Sequence, residues 1–385
     1  MIIKNRENAM KRCLELALNG SGAVSPNPLV GALIIKNGEI IAEGWHKKYG
    51  DVHAEIDAIN NAVKDGINDF TGATLVVNLE PCSHIGKQPP CIDAIIENNF
   101  AKVLVGMQDP NPLVAGSGIQ KLRDAGIDVE VGILEADCKW INRFFAHYIV
   151  QGMPYVILKI AQTIDGCIAT GRGESKYITC EESRRRVHIM RSEMDAVLVG
   201  VTTIINDNPL LDTRLLKSNK TNLEKPNSKI IIIDTDLRTP HKSKIFKNKS
   251  RDVIIVYDEK LANISSSNMS VYDKMNKLKD AGANLWEAPL KNNRIHLRKA
   301  ISRLTFEYCF TSLLVEGGSR IFSSFINSDL VNELQFFISP VIMGDGLRVF
   351  PDVETDKLEE IKRYKIAGSL KSGTDEQLIL INPNY

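Results

Sequence analysis

The chain has 385 residues, 43% hydrophobic and 25% charged, with 48 Lys plus Arg against 47 Asp plus Glu and a formal net charge of +1. These are the proportions of an ordinary globular protein; they exclude a disordered chain, and the length favours two domains, or three, of the usual ~100–200 residues. No apolar run reaches the ~20 residues that span a bilayer, and Met1 to Arg12 is polar, with no secretory apolar core, so a cytoplasmic protein without a membrane partner is expected.

Strand and helix patterns alternate along the chain. Asn5 to Asn19 reads as a helix with Ala9, Cys13, Leu16 and Ala17 on one face. Leu29 to Ile35 and Glu39 to Gly44 read as strands joined by Asn37-Gly38, a strong hairpin signal. A helix over His53–Val63, a strand over Thr74–Leu79 and a helix opened by Pro89-Pro90 follow. Then come a strand over Lys102–Met107, a helix over Gly118–Asp124, a strand over Asp128–Val131 and a single closing helix over Glu135–Ile149. This predicts an α/β/α sandwich, a mixed sheet with helices on its faces.

Gln151-Gly152-Met153-Pro154 breaks the helix, so the domain boundary is placed there, giving domains over 1–150 and 151–385. The second part repeats the alternation. Strands are expected near Ala196–Gly200, Lys229–Asp234, Asp252–Tyr257, Thr311–Val315, Glu333–Ser339 and Leu378–Ile381, with helices near Ser183–Ser192, Arg294–Leu304 and Ser319–Asn327. Leu216–Ser228 and His241–Arg251 read as solvated polar or basic loops.

Residues 1–150 hold 14 Lys plus Arg and 18 Asp plus Glu, a balance of −4, against +5 for the remainder. An acidic first part is a poor match for a polyanion, so no nucleic-acid partner is expected. The mildly basic second part suits a small phosphorylated ligand as well as anything larger.

The seven cysteines are scattered and odd in number, which argues for reduced thiols. Cys82 and Cys91 alone lie within ten positions of each other, and His53-Ala54-Glu55 precedes them. One imidazole and two thiolates supply three ligands and leave a fourth tetrahedral position open, the arrangement of a catalytic zinc. Glu55, two residues after the His53 ligand, is placed to move protons between a water and a leaving amine. H-x-E followed by P-C-x-x-C marks zinc deaminases. Here eight residues separate the cysteines instead of two, and the insertion carries His84 and Lys87.

With these residues in view, the chain resembles the bifunctional riboflavin-biosynthesis deaminase–reductase family. The resemblance rests on Pro26-Asn27-Pro28-Leu29-Val30-Gly31, His53-Ala54-Glu55, Leu79-Glu80-Pro81-Cys82-Ser83-His84, Pro89-Pro90-Cys91 and Gln108-Asp109-Pro110-Asn111-Pro112. It continues through Leu158-Lys159, Asp165-Gly166, Gly173-Glu174-Ser175 and Val315-Glu316-Gly317-Gly318, over almost the whole chain. For the first domain it implies a cytidine-deaminase-like fold and zinc-dependent hydrolytic deamination, at carbon 2, of a diaminopyrimidinone bearing a ribosylamino 5′-phosphate. Asn27 would hold the pyrimidine, with His46, His84 and Lys87 closing on ring or phosphate. Turn chemistry for Asn27 and a plain surface role for His46 stay open. His147 and His188 are read as packing or surface residues.

The second domain lacks a G-x-G-x-x-G fingerprint. Glu316-Gly317-Gly318-Ser319-Arg320 follows a strand and opens a helix, where backbone N–H groups can meet a pyrophosphate or simply make a tight turn. The resemblance implies a dihydrofolate-reductase-like α/β domain that uses NADPH to reduce ribosyl to ribityl. Its cofactor positions would be Ala161, Tyr177, Thr203, Asp207, Thr235 and the run Gly318, Ser319, Arg320, Ile321, Phe322, Ser323 and Ser324. Substrate positions would be Ser175, Arg191, Leu211, Arg214 and Glu316. Arg191 and Arg214 suit phosphate, which guanidinium pairs bidentately. Lys159 and Asp207 are polar groups near strand ends suited to assist proton transfer. The partner implied is a small phosphorylated pyrimidine; assembly as a homo-oligomer is left open.

Overall fold

The computed structural model describes residues 5–84, 89–214, 227–264 and 269–384. The chain divides into two compact units, with the change of unit between Gly152 and Met153. Gly152 makes that break, closing a helix in the left-handed region at φ 65°.

The first unit runs α1 (Arg6–Leu18), β1 (Gly31–Lys36), β2 (Glu39–Trp45), α2 (Ala54–Lys64), β3 (Thr74–Leu79), α3 (Cys91–Glu97), β4 (Lys102–Met107), α4 (Ser117–Asp124), β5 (Asp128–Val131), α5 (Glu135–Ile141) and α6 (Arg143–Gln151). Its sheet has the order β2-β1-β3-β4-β5. β1 runs antiparallel to β2 and β3, and β3, β4 and β5 are parallel. Asn37 and Gly38 both adopt positive φ, 54° and 80°, as a two-residue hairpin turn requires. Side chains alternate across the strands. Ala32, Ile34, Leu75, Val77, Val103 and Val105 pack with residues of α2, α3 and α4, whereas Leu33, Val76 and Leu104 pack with α1 and Cys138 of α5. This is the expected sandwich, with a core on each face.

One element differs. The closing helix is two helices, α5 and α6, that meet at Asn142. The Asn142 side chain is buried; its Oδ1 accepts from the Leu29 N–H at 2.8 Å and its Nδ2 donates to the Leu29 carbonyl at 3.0 Å. A residue 113 positions away in sequence thus interrupts an otherwise continuous helical pattern.

The second unit runs β6 (Tyr155–Thr163), β7 (Cys167–Thr170), α7 (Glu181–Glu193), β8 (Ala196–Gly200), α8 (Val201–Asp207), β9 (Lys229–Ile233), β10 (Val253–Asp258), α9 (Glu259–Ile264), α10 (Met269–Ala281) and β11 (Ala283–Ala288). It continues with β12 (Leu290–Lys291), β13 (Arg294–Ile295), α11 (Leu297–Tyr308), β14 (Ser312–Gly317), α12 (Ser319–Asn327), β15 (Glu333–Ser339), β16 (Gly346–Arg348), β17 (Lys365–Ser372) and β18 (Asp375–Ile381). Nine strands form one sheet in the order β11-β10-β9-β8-β14-β6-β15-β18-β17. Neighbours are parallel from β11 to β15, and β18 pairs antiparallel with β15 and β17. The parallel strands are near-continuous apolar runs, such as Ile230 to Ile233 and Val197 to Val199, because both faces are covered. β17 is the outer edge and is largely exposed.

Two expectations are corrected here. Arg294 does not begin a helix: Asn292 and Asn293, both at positive φ, make a tight turn that pairs Arg294-Ile295 with Leu290-Lys291, and α11 starts at Leu297. His241–Arg251 is not simply a solvated loop. Ile245 and Phe246 are buried, and so is Arg251, whose guanidinium donates to the carbonyls of Leu210 and Leu211 at 2.7 and 2.9 Å. Leu216 to Pro226 and Lys87 lie outside the described residues.

Candidate active site

In the first unit three chain segments converge. His53 caps the N-terminus of α2, Cys82 follows β3, and Cys91 is the first residue of α3. The side-chain donor atoms of the three lie within 4.8 Å of one another. His53 Nδ1 is 3.3 Å from Cys91 Sγ and 3.5 Å from Cys82 Sγ, and the Cys91 N–H donates to Cys82 Sγ at 3.2 Å. Ligands about 2.0–2.3 Å from a tetrahedral ion stand roughly 3.5 Å apart, so the spacing fits zinc without rearrangement. The Cys91 thiol, then the His53 imidazole and the Cys91 N–H, hold the Cys82 thiol well below the usual thiol range, toward the thiolate form a metal needs.

Glu55 lies in the first turn of α2, 3% exposed. Burial, and then the charge on Cys82, push its carboxyl up to about 7. A carboxyl that titrates near neutrality can both take up and release a proton. His53 and Glu55 lie on the wall of one cavity of about 290 Å³, with Asn27, His46, Cys82 and His84. His46 is buried, and its Nδ1 donates to the Val52 carbonyl at 3.0 Å, which leaves Nε2 to accept from the Asn27 amide at 3.1 Å. Burial lowers the His46 pKa and keeps the ring neutral, and the ring stands edge-on to His53 with centroids 5.6 Å apart. Asn27 is therefore tied to the site by its side chain as well as by its turn. Asp109, Asn111, Phe145 and Ile149 also line the cavity, and no motif reading singled them out individually.

In the second unit the residues of interest gather at the carboxyl ends of parallel strands, where open α/β sheets bind ligands. Ala161 is near the end of β6, Thr203 and Asp207 are on α8 directly after β8, Thr235 follows β9, and Gly318 follows β14. Gly318, at φ 91°, opens α12. A Cβ on Gly200 would stand 2.8 Å from Ile321 and one on Gly317 would stand 3.0 Å from Thr203, so glycines let α8 and α12 start side by side. The first-turn N–H groups of α12, which have no acceptor within the helix, suit a pyrophosphate. Within Gly318–Ser324, Phe322 and Ser323 point into the core, while Ser324 lies toward the surface. Tyr177 is 74% exposed, with Arg184 4.4 Å over its ring. Ser175 donates to Asp207 at 3.3 Å.

Lys159, Arg191 and Glu316 form one buried cluster. Arg191 grips Glu316 with Nε and, at 2.8 Å, with Nη2, and Lys159 Nζ lies 3.8 Å from the same carboxylate. These two cations hold the Glu316 carboxyl below its usual range despite burial, which acts the other way. Arg191 Nη1 reaches the Asp212 carbonyl at 3.2 Å, and Arg214 pairs with the Asp212 carboxylate at 2.5 Å. The Arg191 fork is thus already occupied by a carboxylate. Leu211, at φ 49°, is buried and lends its carbonyl to Arg251.

A His–Cys–Cys group spaced for zinc, with a buried carboxyl, in one unit and a glycine-opened ligand edge in a second α/β unit define a two-domain enzyme, and comparison with known proteins agrees. Residues 3–107 match the cytidine and deoxycytidylate deaminase zinc-binding region, and residues 154–378 match the RibD C-terminal domain. The riboflavin biosynthesis protein RibD of Actinobacillus pleuropneumoniae is 41% identical over 338 residues, 87% of this chain and 84% of that protein. That of Aquifex aeolicus is 37% identical over 385 residues, all of both chains. A solved Thermotoga maritima diaminohydroxyphosphoribosylaminopyrimidine deaminase/5-amino-6-(5-phosphoribosylamino)uracil reductase shares 37% identity with a TM-score of 0.81, over 98% of each chain. The chain belongs to the RibD family, bifunctional enzymes of riboflavin biosynthesis that join a zinc deaminase domain to an NADPH-dependent reductase domain.

Proposed function

We propose that the unit ending at Gly152 deaminates 2,5-diamino-6-(5-phosphoribosylamino)pyrimidin-4(3H)-one, and that the following unit reduces the ribosyl group of the product, 5-amino-6-(5-phosphoribosylamino)uracil, to ribityl. The observation that carries the first step is the joining of His53, Cys82 and Cys91 within 4.8 Å, beside a buried carboxyl in one cavity. His53, Cys82 and Cys91 would hold zinc, which would lower the pKa of a water to about 7 and make hydroxide available at neutral pH. Glu55 takes the proton of the water and delivers it to the amino group as the carbon–nitrogen bond breaks and ammonia leaves. Asn27, oriented by neutral His46, holds the pyrimidine, and His84 and Lys87 meet ring or phosphate.

In the reductase unit bound NADPH would supply the hydride for the anomeric carbon of the ring-opened Schiff-base form, whose nitrogen takes up a proton. Ala161, Tyr177, Thr203, Asp207, Thr235 and the glycine-opened start of α12, Gly318–Ser324, hold the cofactor, with Phe322 and Ser323 supporting that turn of helix from the core. Ser175, Arg191, Leu211, Arg214 and Glu316 orient the phosphorylated sugar, with Lys159 placed for proton transfer. Among the described residues no helix is long and apolar enough to cross a membrane. The reading is tested with purified full-length protein by following ammonia release and NADPH oxidation separately. Both signals are expected in sequence, and NADPH oxidation without prior ammonia release from the diamino substrate would overturn the assigned order.

A further inference from the structure

One buried carboxylate in the first unit has no part in the chemistry described so far. Glu80 stands between the end of β3 and Cys82, 5% exposed, on the cavity wall. Its Oε2 accepts from the N–H groups of Asp109 at 3.0 Å and Gly116 at 2.9 Å. Its Oε1 accepts from Gly118 at 2.9 Å and Ile119 at 3.3 Å. All four donors belong to the connection from β4 to α4 or to the first turn of α4, so the carboxylate sits where that helix is most positive. The approach is close: a Cβ on Gly118 would lie 2.3 Å from the Pro81 carbonyl oxygen and 3.2 Å from Glu80 Oε1. A hydrogen bond between the hydroxyls of Ser83 and Ser117, 2.5 Å apart, extends the seam. The same connection carries Asp109 and Asn111 to the cavity wall, and Asp109 Oδ1 accepts from the Asn111 N–H at 2.8 Å.

We propose that Glu80 is a positioning residue for the deamination, an inference that rests on the deaminase reading above. It locks the loop that bears Asp109 and Asn111 to the segment that bears Cys82. The wall of the cavity and the zinc ligands then move as one body, and the pyrimidine substrate meets the reacting centre in a fixed orientation. Both carboxylate oxygens are needed, since each serves two donors.

The test uses full-length, zinc-loaded protein. Glu80→Gln turns one oxygen into an NH2 that faces two N–H donors. Gly118→Ala pushes the start of α4 off Pro81 while Glu80 stays intact. Each is expected to raise KM for the diamino substrate about tenfold or more, because misplacement of a binding wall by about 1 Å suffices for such losses. The fall in kcat should be smaller, one zinc per chain should remain, and NADPH oxidation with the deaminated intermediate as substrate should match wild type. Adding Asn111→Ala to Glu80→Gln should cost little beyond the larger single effect, since both act through one loop. An unchanged KM in Glu80→Gln, loss of zinc in parallel with activity, or independent multiplication of the two effects would each overturn the positioning role. Absence of ammonia release from the wild-type protein would instead overturn the deaminase reading on which it rests.

Discussion

Arg191 and Glu316, 125 positions apart, meet side by side in the second unit, with Nη2 2.8 Å from Oε2 and Nε on the other oxygen, both side chains largely buried. The carboxylate can stay ionised there because the guanidinium fork and the Lys159 ammonium surround it. Arg191→Ala would leave it with Lys159 alone. The variant should lose reductase activity through a raised KM for the phosphorylated substrate and should destabilise its unit by about 3–5 kcal/mol, the usual result of breaking a buried pair. Arg191→Lys should recover little, because an ammonium cannot make the double contact. Ammonia release should be untouched, and equal losses in both assays would show that the effect is not local.

Glu55→Gln keeps the shape of the side chain but removes its ability to carry a proton. Ammonia release should fall by about 10²–10⁴-fold, the range supplied by a general acid–base group. Zinc content by elemental analysis should stay at the wild-type value, and reduction of the deaminated intermediate should proceed normally. Near wild-type ammonia release would remove Glu55 from the proton path. Stripping zinc with a chelator should give the same split between the two activities, reversed on adding the metal back.

Asn142 supplies an acceptor and a donor to the backbone of Leu29, and Asn78 makes a further bond to the Leu29 carbonyl at 2.9 Å. Asn142→Ala therefore strands the Leu29 N–H more than its carbonyl. A loss of about 1–3 kcal/mol in urea unfolding is expected, the desolvation penalty of one unpaired buried group. An unchanged unfolding midpoint would mean that the chain finds another partner for that N–H.

The His188 imidazole is 5% exposed, and its Nδ1 is among the buried atoms without a hydrogen-bond partner. Burial, and then the positive charge on Arg191, depress its pKa to about 4. Between that value and the ordinary 6.5 the unfolded chain binds the proton more readily than the folded one. Stability should fall as pH drops from about 6.5 to 4 and be insensitive to this group above 6.5. Denaturant midpoints across that window should flatten in His188→Gln, and a slope identical to wild type would assign the acid sensitivity elsewhere.

Contacts made within a few residues could be read from the chain alone. Asn37-Gly38 dictates its hairpin, and His53, Glu55, Cys82 and Cys91, although up to 38 positions apart, are legible because their residue types and order follow the zinc-deaminase pattern. The features that escaped depend on distant partners. Nothing near Asn142 reveals that it will bind Leu29, nothing near Arg251 reveals that the carbonyls of Leu210 and Leu211 will draw its guanidinium inward, and the Glu80 donors lie 29 to 39 positions further on. Asn292-Asn293 is a local turn signal, and the turn it makes moves the start of the helix from Arg294 to Leu297. Arg191, on α7, takes its counter-charge from Glu316 of β14, a pairing that nothing near position 191 reveals.

The outer strand β17 displays Ile366 and Leu370 on an edge with backbone groups open to pairing, a combination that invites chains to add to one another and form aggregates. Lys365 and Lys371 stand at its two ends. In an antiparallel pairing of two copies centred on Gly368, Lys365 of one copy would face Lys371 of the other, whose ammonium is partly balanced by Glu376 at 3.4 Å. Lysines placed along an edge strand blunt the growth of a sheet from one chain into the next.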